Sequence, residues 1–365
     1  MRVSTIALLL VPMLAASGAA RTPDSAATQA RASASSSAPR SSRVQVVADE
    51  AGRRVDVTID GKPFTSYIYP TTLKKPSLFP LRSAAGTVVT RGFPLEARQG
   101  ERVDHPHHVG LWLNHGDVNG LDFWNNSDAV PVAQAPKMGT ILHRRVVEAR
   151  SGADAGELTV EMEWVKPDGA PLVAERTRFV FSGTPQSRTI DRITTLTALK
   201  ERVVFKDNKE GVLGIRVARG LEQPDSKPDF FTDAAGKPSA AKAVDNTGVA
   251  GEYTSSEGLK GDAVWGTRGR WTLLSGTVDT EPVTLAILDH PKNPGFPTYW
   301  HARGYGLFAA NPLGESVFTQ GKKELNLTLE PGQSTTFRHR ILILSGRGSP
   351  AAVEVVENAY AVFAK

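Results

Sequence analysis

Cysteine is absent from the 365 residues, so no disulfide framework can staple the fold and no acylated lipoprotein anchor can form. Packing alone must hold the chain together, even in an oxidising compartment. Long apolar runs are scarce too. The clear example is Ile6 to Leu14, preceded by Arg2 and followed by the small residues Ala15 to Ala20, the pattern of a cleaved secretory signal over residues 1–20. No later segment approaches the roughly 20 consecutive apolar residues of a membrane helix, so a soluble periplasmic or secreted protein is expected, with no membrane span after the signal. From residue 21 to 43 large apolar side chains are nearly missing. Such an Ala, Ser, Thr and Arg composition cannot offset the entropy of ordering, and a disordered tether is expected. Net charge is lacking as well. Residues 1–43 hold five arginines and one aspartate, which is +4 of the chain's +5 and leaves +1 for residues 44–365. A nearly neutral folded part without a basic stripe argues against a nucleic-acid partner.

What remains is dominated by strand pattern. Val55, Val57 and Ile59 alternate with polar residues before Asp60-Gly61, a tight-hairpin signal, and Phe64 to Tyr69 supplies the returning strand. Further strands are expected at 141–149, 158–165, 176–181, 189–199, 213–218, 271–278, 283–288, 307–310, 325–329 and 335–344. One helix is convincing: Ser349 can cap it, Pro350 suits its first turn, and Val353, Val356, Tyr360 and Phe363 recur at helical spacing. Many strands without intervening helices predict an all-β fold, a large antiparallel two-sheet β-sandwich with a short C-terminal helix, forming a single domain over residues 44–365. The stretch from Glu222 to Gly261, poor in large apolar residues, reads as a surface excursion.

Chemistry concentrates in DHPHHVGLWLNHGDVNGLDFW, residues 104–124. It holds His105, His107, His108 and His115, four of the chain's eight histidines, within eleven positions. If residues 108–115 are extended, Val109, Leu111 and Leu113 face the core, and His108, Gly110, Trp112 and Asn114 the other way, with Gly110 leaving room for a ligand. His105 and His107 would then share a face. With His115 they form the candidate ligand set for a divalent metal, the one cofactor the residues suggest. Two distant segments have similar character. Asp289 to Gly314, broken by Pro291, Pro294 and Pro297, reads as an irregular pocket wall carrying Tyr299, Trp300, His301 and Arg303. Lys206 to Gly220 offers Glu210 and Arg216. His143 and His339, inside strand patterns, read as structural.

The segments PHHVGLW (106–112), HGDVNGLDFW (115–124), KEGVLGIRVAR (209–219) and TYWHARGYGLFAANPLG (298–314) resemble those of the secreted bacterial PmoA-like, or methane-oxygenase-like, proteins, over nearly the whole chain after the tether. A basic residue commonly follows the paired histidines in that family, where this chain has Val109. The resemblance implies a relationship to the galactose-mutarotase-type supersandwich, and hence a carbohydrate as the small-molecule partner. On this reading the protein is a carbohydrate-active enzyme using histidine-assisted acid/base chemistry, of lyase, hydratase, epimerase or hydrolase type. His108 and His301 transfer protons, Glu210 or Asp117 is the partner carboxylate, and Trp112, Asn114, Asn119, Trp124, Tyr299, Trp300 and Arg303 bind the sugar. The alternatives are a metal-dependent enzyme, oxidase or oxygenase included, with His105, His107 and His115 as ligands, and a non-catalytic carbohydrate-binding protein.

Overall fold

The computed structural model describes residues 43–363, residue 242 excepted; the expected signal and nearly all of the expected tether lie outside them. Two eight-stranded antiparallel sheets make up the fold. The first, here the site sheet, runs in spatial order Val44–Asp49, Arg54–Ile59, Lys62–Ile68, Ser77–Leu78, Leu111–His115, Gly211–Arg216, Leu307–Asn311 and Tyr299–Arg303. The second runs Glu252–Ser255, Trp271–Val278, Glu281–Leu288, Ser334–Ser345, Ser187–Ala198, Pro171–Thr184, Ala155–Val165 and Thr140–Arg150.

Period-two alternation explains strands such as Ser187–Ala198. This strand alternates partly exposed and buried positions along its whole length, and the buried side chains meet those of the other sheet. Phe64 and Phe181, both fully buried, meet edge to face across the gap with ring centroids 6.2 Å apart. The Asp60-Gly61 hairpin forms as expected, both residues taking positive φ (53° and 74°), as a type I′ turn requires. Pro350–Phe363 forms the C-terminal helix, with Ser349 Oγ accepting from the Ala352 amide at 3.2 Å. Val353 and Tyr360 cover Trp271, Leu288 and Leu342 on the second sheet.

The centre of the site sheet breaks the alternation. Leu111–His115, Gly211–Arg216 and Leu307–Asn311 are buried at every position, so loops cover their outward face as well as their core face. Beneath that cover Trp112, Trp124, Leu307 and Ala309 form a small separate apolar cluster. Gly214 pairs across from Trp112, and any side chain there would meet the indole at 2.6 Å; the glycine lets the ring lie flat over the neighbouring strand.

Tyr299–Arg303 is an edge strand of this sheet rather than the irregular wall expected from its prolines. The excursion after Glu222 is also more ordered than its composition suggests. It contains a two-stranded ribbon, Asp229–Thr232 with Pro238–Ala241, and then the strand Glu252–Ser255. Among the described residues no helix is long and apolar enough to cross a membrane.

Candidate active site

Of the stretch 108–115 expected to be extended, Leu111–His115 is a strand and residues 108–110 are not. His105 takes φ 41° and Gly110 φ 58°, and the His108 amide donates to the His105 carbonyl at 2.9 Å, so the chain turns before the strand begins at Leu111. His105 and His107 therefore do not present one face. The space above Gly110 is not free for a ligand either, since a Cβ there would lie 2.1 Å from the Leu78 carbonyl oxygen.

Two buried guanidiniums hold this turn. Arg91 donates to the Asp104 and His105 carbonyl oxygens at 2.9 and 3.0 Å, and Arg216, at the end of its strand, donates to Asp104 Oδ1 at 2.7 Å. Arg91 also pairs with the Asp104 carboxylate. Asp104 Oδ2 then accepts from His105 Nδ1 at 2.8 Å. Burial alone would raise the Asp104 carboxyl, but the His105 bond and the Arg216 and Arg91 charges outweigh it and hold the group well below the usual carboxylate range. An ionised Asp104 fixes the proton on His105 Nδ1 and leaves Nε2 with its lone pair, with no hydrogen bond to it among the described residues.

His105 opens onto a cavity of about 540 Å³ together with His107, His108, Asn125, Lys209, Glu210, Trp265, His301, Arg303 and Tyr305. The histidine stretch, the strand beginning at Gly211 and the edge strand Tyr299–Arg303 thus meet here, although they lie far apart in sequence. Tyr305, His105, His108 and Trp112 stack in series, with centroid separations of 5.1, 4.9 and 5.1 Å. Glu210 Oε2 lies 3.7 Å from His301 Nδ1, beyond hydrogen-bond length, and Lys209 Nζ lies 3.2 Å from Glu210 Oε1. Burial raises the Glu210 carboxyl, partly opposed by Lys209. Burial, aided by Arg303 and Lys209, lowers the His301 imidazole to about 3, so it is neutral at physiological pH.

The remaining expected residues fall elsewhere or take other roles. His108 is in the cavity floor, 1% exposed, its Nδ1 facing the Arg216 guanidinium at 3.3 Å, and burial holds it well below the normal histidine range. His115 faces the core, its Nε2 on the Lys206 carbonyl at 2.8 Å, so it cannot complete a metal set with His105 and His107. Among the described residues no three His, Cys, Asp or Glu side chains are arranged to hold a metal ion. Asp117 and Asn119 shape a turn: Asp117 Oδ1 accepts from the Gly120 amide at 2.9 Å, while Asn119 bonds Arg202 and Val204 backbone at 2.9 and 2.7 Å. Asn114 donates to the Phe123 carbonyl inside the protein. Trp112 and Trp124 are fully buried against each other, Trp300 sits between the sheets, and Tyr299 packs on Phe318. Of the residues expected to bind a sugar, Arg303 alone lines the cavity.

Sequence reasoning had no place for Asn125, Lys209, Trp265 or Tyr305 as cavity residues. Two signals were available. Tyr305 lies in the Arg303-Gly304-Tyr305-Gly306 turn next to a residue already singled out, and Trp265 is one of only six tryptophans, in a stretch otherwise of turn residues. Beside the cavity, Lys75 is buried; its Nζ donates to the His107 carbonyl at 2.6 Å and lies 5.4 Å from the Trp112 ring centre.

A family model matches residues 54–357, a span that contains every residue lining this cavity. The chain belongs to DUF6807, a family of unknown function. That description says nothing of methane oxygenation. No curated protein shows significant similarity to the sequence. Among solved structures the DUF6807 chain is similar to the galactosidase domain of the alpha-galactosidase-sucrose kinase AgaSK, with 8% identity, 82% of this chain and 42% of that one covered, and a TM-score of 0.39. It is also similar to galactose 1-epimerase from Lactobacillus acidophilus NCFM (11% identity, 84% and 100% covered, TM-score 0.35) and to a putative aldose 1-epimerase from Escherichia coli K12 (14% identity, 82% and 98% covered, TM-score 0.26). Likenesses this loose carry neither residue roles nor a substrate across.

Proposed function

We propose that this DUF6807 protein is a carbohydrate-active enzyme that moves a proton at a sugar carbon, by elimination, hydration or epimerisation. The observation that carries the proposal is the Asp104–His105 pair opening onto a cavity that also holds Glu210. In this reading His105 Nε2 takes the proton from carbon, and Asp104 stabilises the imidazolium that results. Glu210, kept protonated to higher pH by burial, gives its proton to the oxygen that gains charge, while Lys209 and Arg303 offset that charge. His108 passes from proton carrier to support beneath His105, and His301 becomes a neutral neighbour of Glu210. A sugar supplies what the lining asks for: C–H faces for Tyr305 and the half-exposed Trp265, and hydroxyls for Asn125, Lys209 and Arg303. The N-terminal signal pattern supports a periplasmic or secreted location for this activity.

The test is deuterium wash-in. Glycosides and their keto derivatives are incubated with enzyme in D2O, and the carbon-bound label is read by mass spectrometry and NMR. A one-dalton gain that depends on enzyme and is lost in His105→Ala, with the fold intact by circular dichroism, is expected. Wild-type turnover in His105→Ala, or neither carbon-bound label nor an eliminated or hydrated product with any sugar, would sink the proposal.

A further inference from the structure

A second cavity, of about 350 Å³, adjoins the first and shares Trp265, Arg303 and Tyr305 with it. Its remaining lining is mostly polar, from Gln223, Asp225, Lys227 and Asp262, with Pro224, Ala302 and Gly304 between them. Resting on the carbohydrate reading above, we infer that this cavity is a second sugar subsite, and that the substrate is a glycoside of at least two sugar units with its linkage lying over Arg303.

Three features support the inference. The partition between the cavities is itself a recognition element. The Arg303 guanidinium lies 5.4 Å from the centre of the Trp265 ring and 5.8 Å from that of Tyr305, so a planar set of donors is flanked by two aromatic faces. Trp265 is 40% exposed while most of the chain's tryptophans are buried, and its position on the shared wall lets it contact units on either side. The far wall is fixed in advance. Glu222, 1% exposed, binds Arg102 Nε at 2.8 Å and also pairs with Arg219; Gln223 is held through its amide to the Gly304 carbonyl at 2.8 Å and through Nε2 to Asp262 Oδ1 at 2.7 Å. Carboxylates, an amide and cations around one aromatic face suit a second polar ring; an apolar aglycone would desolvate those groups and offer them no hydrogen bond in return. Each cavity is within the about 300–1,000 Å³ typical of small-molecule sites, so two units occupy two defined spaces rather than one large one.

The experiment measures binding of the purified chain to a glycan array of monosaccharides, their methyl glycosides, and the matching disaccharides and trisaccharides, with hits quantified by calorimetry. Gln223→Ala, Asp262→Asn, Trp265→Ala and Trp265→Phe are compared, each shown to be folded by circular dichroism. The expected result is a disaccharide bound at least about tenfold more tightly than its monosaccharide, with that ratio falling toward one in Gln223→Ala and Trp265→Ala and largely restored in Trp265→Phe. A monosaccharide bound as tightly as its disaccharide, or a ratio unmoved by Gln223→Ala and Asp262→Asn, overturns the second subsite and leaves the carbohydrate reading standing. A chain that binds no sugar on the array overturns both.

Discussion

At the scale of single residues, charge placement decides which of several similar side chains can act. His105, His107 and His108 lie within 5.6 Å of one another ring to ring, yet only His105 has an ionised carboxylate on Nδ1 and a partly exposed ring. His107 is driven to about 2, first by burial and then by Lys75, so its ring stays neutral in the working range. Arg91 is lowered to about 9 by burial and by the nearby Arg216, and it remains charged at neutral pH as the anchor of Asp104. A pH profile follows from these states. Glu210 must be protonated to give a proton, so activity is lost as pH rises through a carboxyl that burial has lifted above the ordinary range. The expected curve has a basic limb that belongs to Glu210. In Glu210→Gln that limb should vanish while kcat falls by about 10²- to 10⁴-fold. A variant that keeps both the limb and the rate would remove Glu210 from the mechanism. Asp104→Asn should cost a similar factor, read in single-turnover exchange, by releasing the His105 tautomer; His105→Gln is its companion in case two unpaired arginines disturb folding.

At the scale of elements, the turn from Asp104 to Gly110 aims His105, and the Leu78 backbone fixes that turn. Gly110→Ala must place a methyl 2.1 Å from the Leu78 carbonyl oxygen at a φ that L-residues avoid, so backbone has to move. We expect a loss of about 2 kcal/mol or more in urea unfolding, together with loss of the exchange activity. Unchanged stability would show that the segment is freer than its contacts indicate. The same turn marks where sequence reasoning stopped working. Strands such as Arg54–Ile59 and Ser187–Ala198 were legible because alternation and the Asp60-Gly61 hairpin report backbone directly. The turn was not, because a histidine at φ 41° leaves no mark in composition. Tyr299–Arg303 was hidden by the prolines that precede it, which shape the approach to the strand and not the strand itself. Residue type also said nothing about cover. Trp112 does face outward from the site sheet, as its place in the strand predicts, but loops bury it completely, and the accessible aromatics are Tyr305 and Trp265. The meeting of His105, Glu210 and Arg303 is a matter of strand order: the Leu111–His115, Gly211–Arg216, Leu307–Asn311 and Tyr299–Arg303 strands are successive neighbours. No local pattern encodes that order.

At the scale of the whole molecule, a core without disulfides that takes in several uncharged histidines makes stability depend on pH in a definite direction. His301 is lowered to about 3, and His108 is held well below the ordinary value, both chiefly by burial. Below about pH 6.5 the unfolded chain binds protons at these positions and the folded chain does not, so stability is lost as pH falls from there. The buried pair His339 and Asp289, 3.8 Å apart, behaves differently. Burial lowers the histidine to about 3 and raises the aspartate to about 7, so between those limits the folded pair holds one proton, whichever side chain carries it. The unfolded pair also holds one proton between about pH 3.9 and 6.5, on the histidine, so the pair contributes almost nothing to the slope there. Asp289→Asn removes this compensation: the folded chain is left with a neutral His339, the unfolded chain still binds its proton, and stability should fall with acid more steeply by up to about 1.4 kcal/mol per pH unit. Urea unfolding of wild type and Asp289→Asn at several pH values from 5 to 7 measures the difference in slope. Parallel curves would mean that His339 already carries its own proton in the folded protein, and that the pair is an ordinary ion pair with an independent titration for each partner.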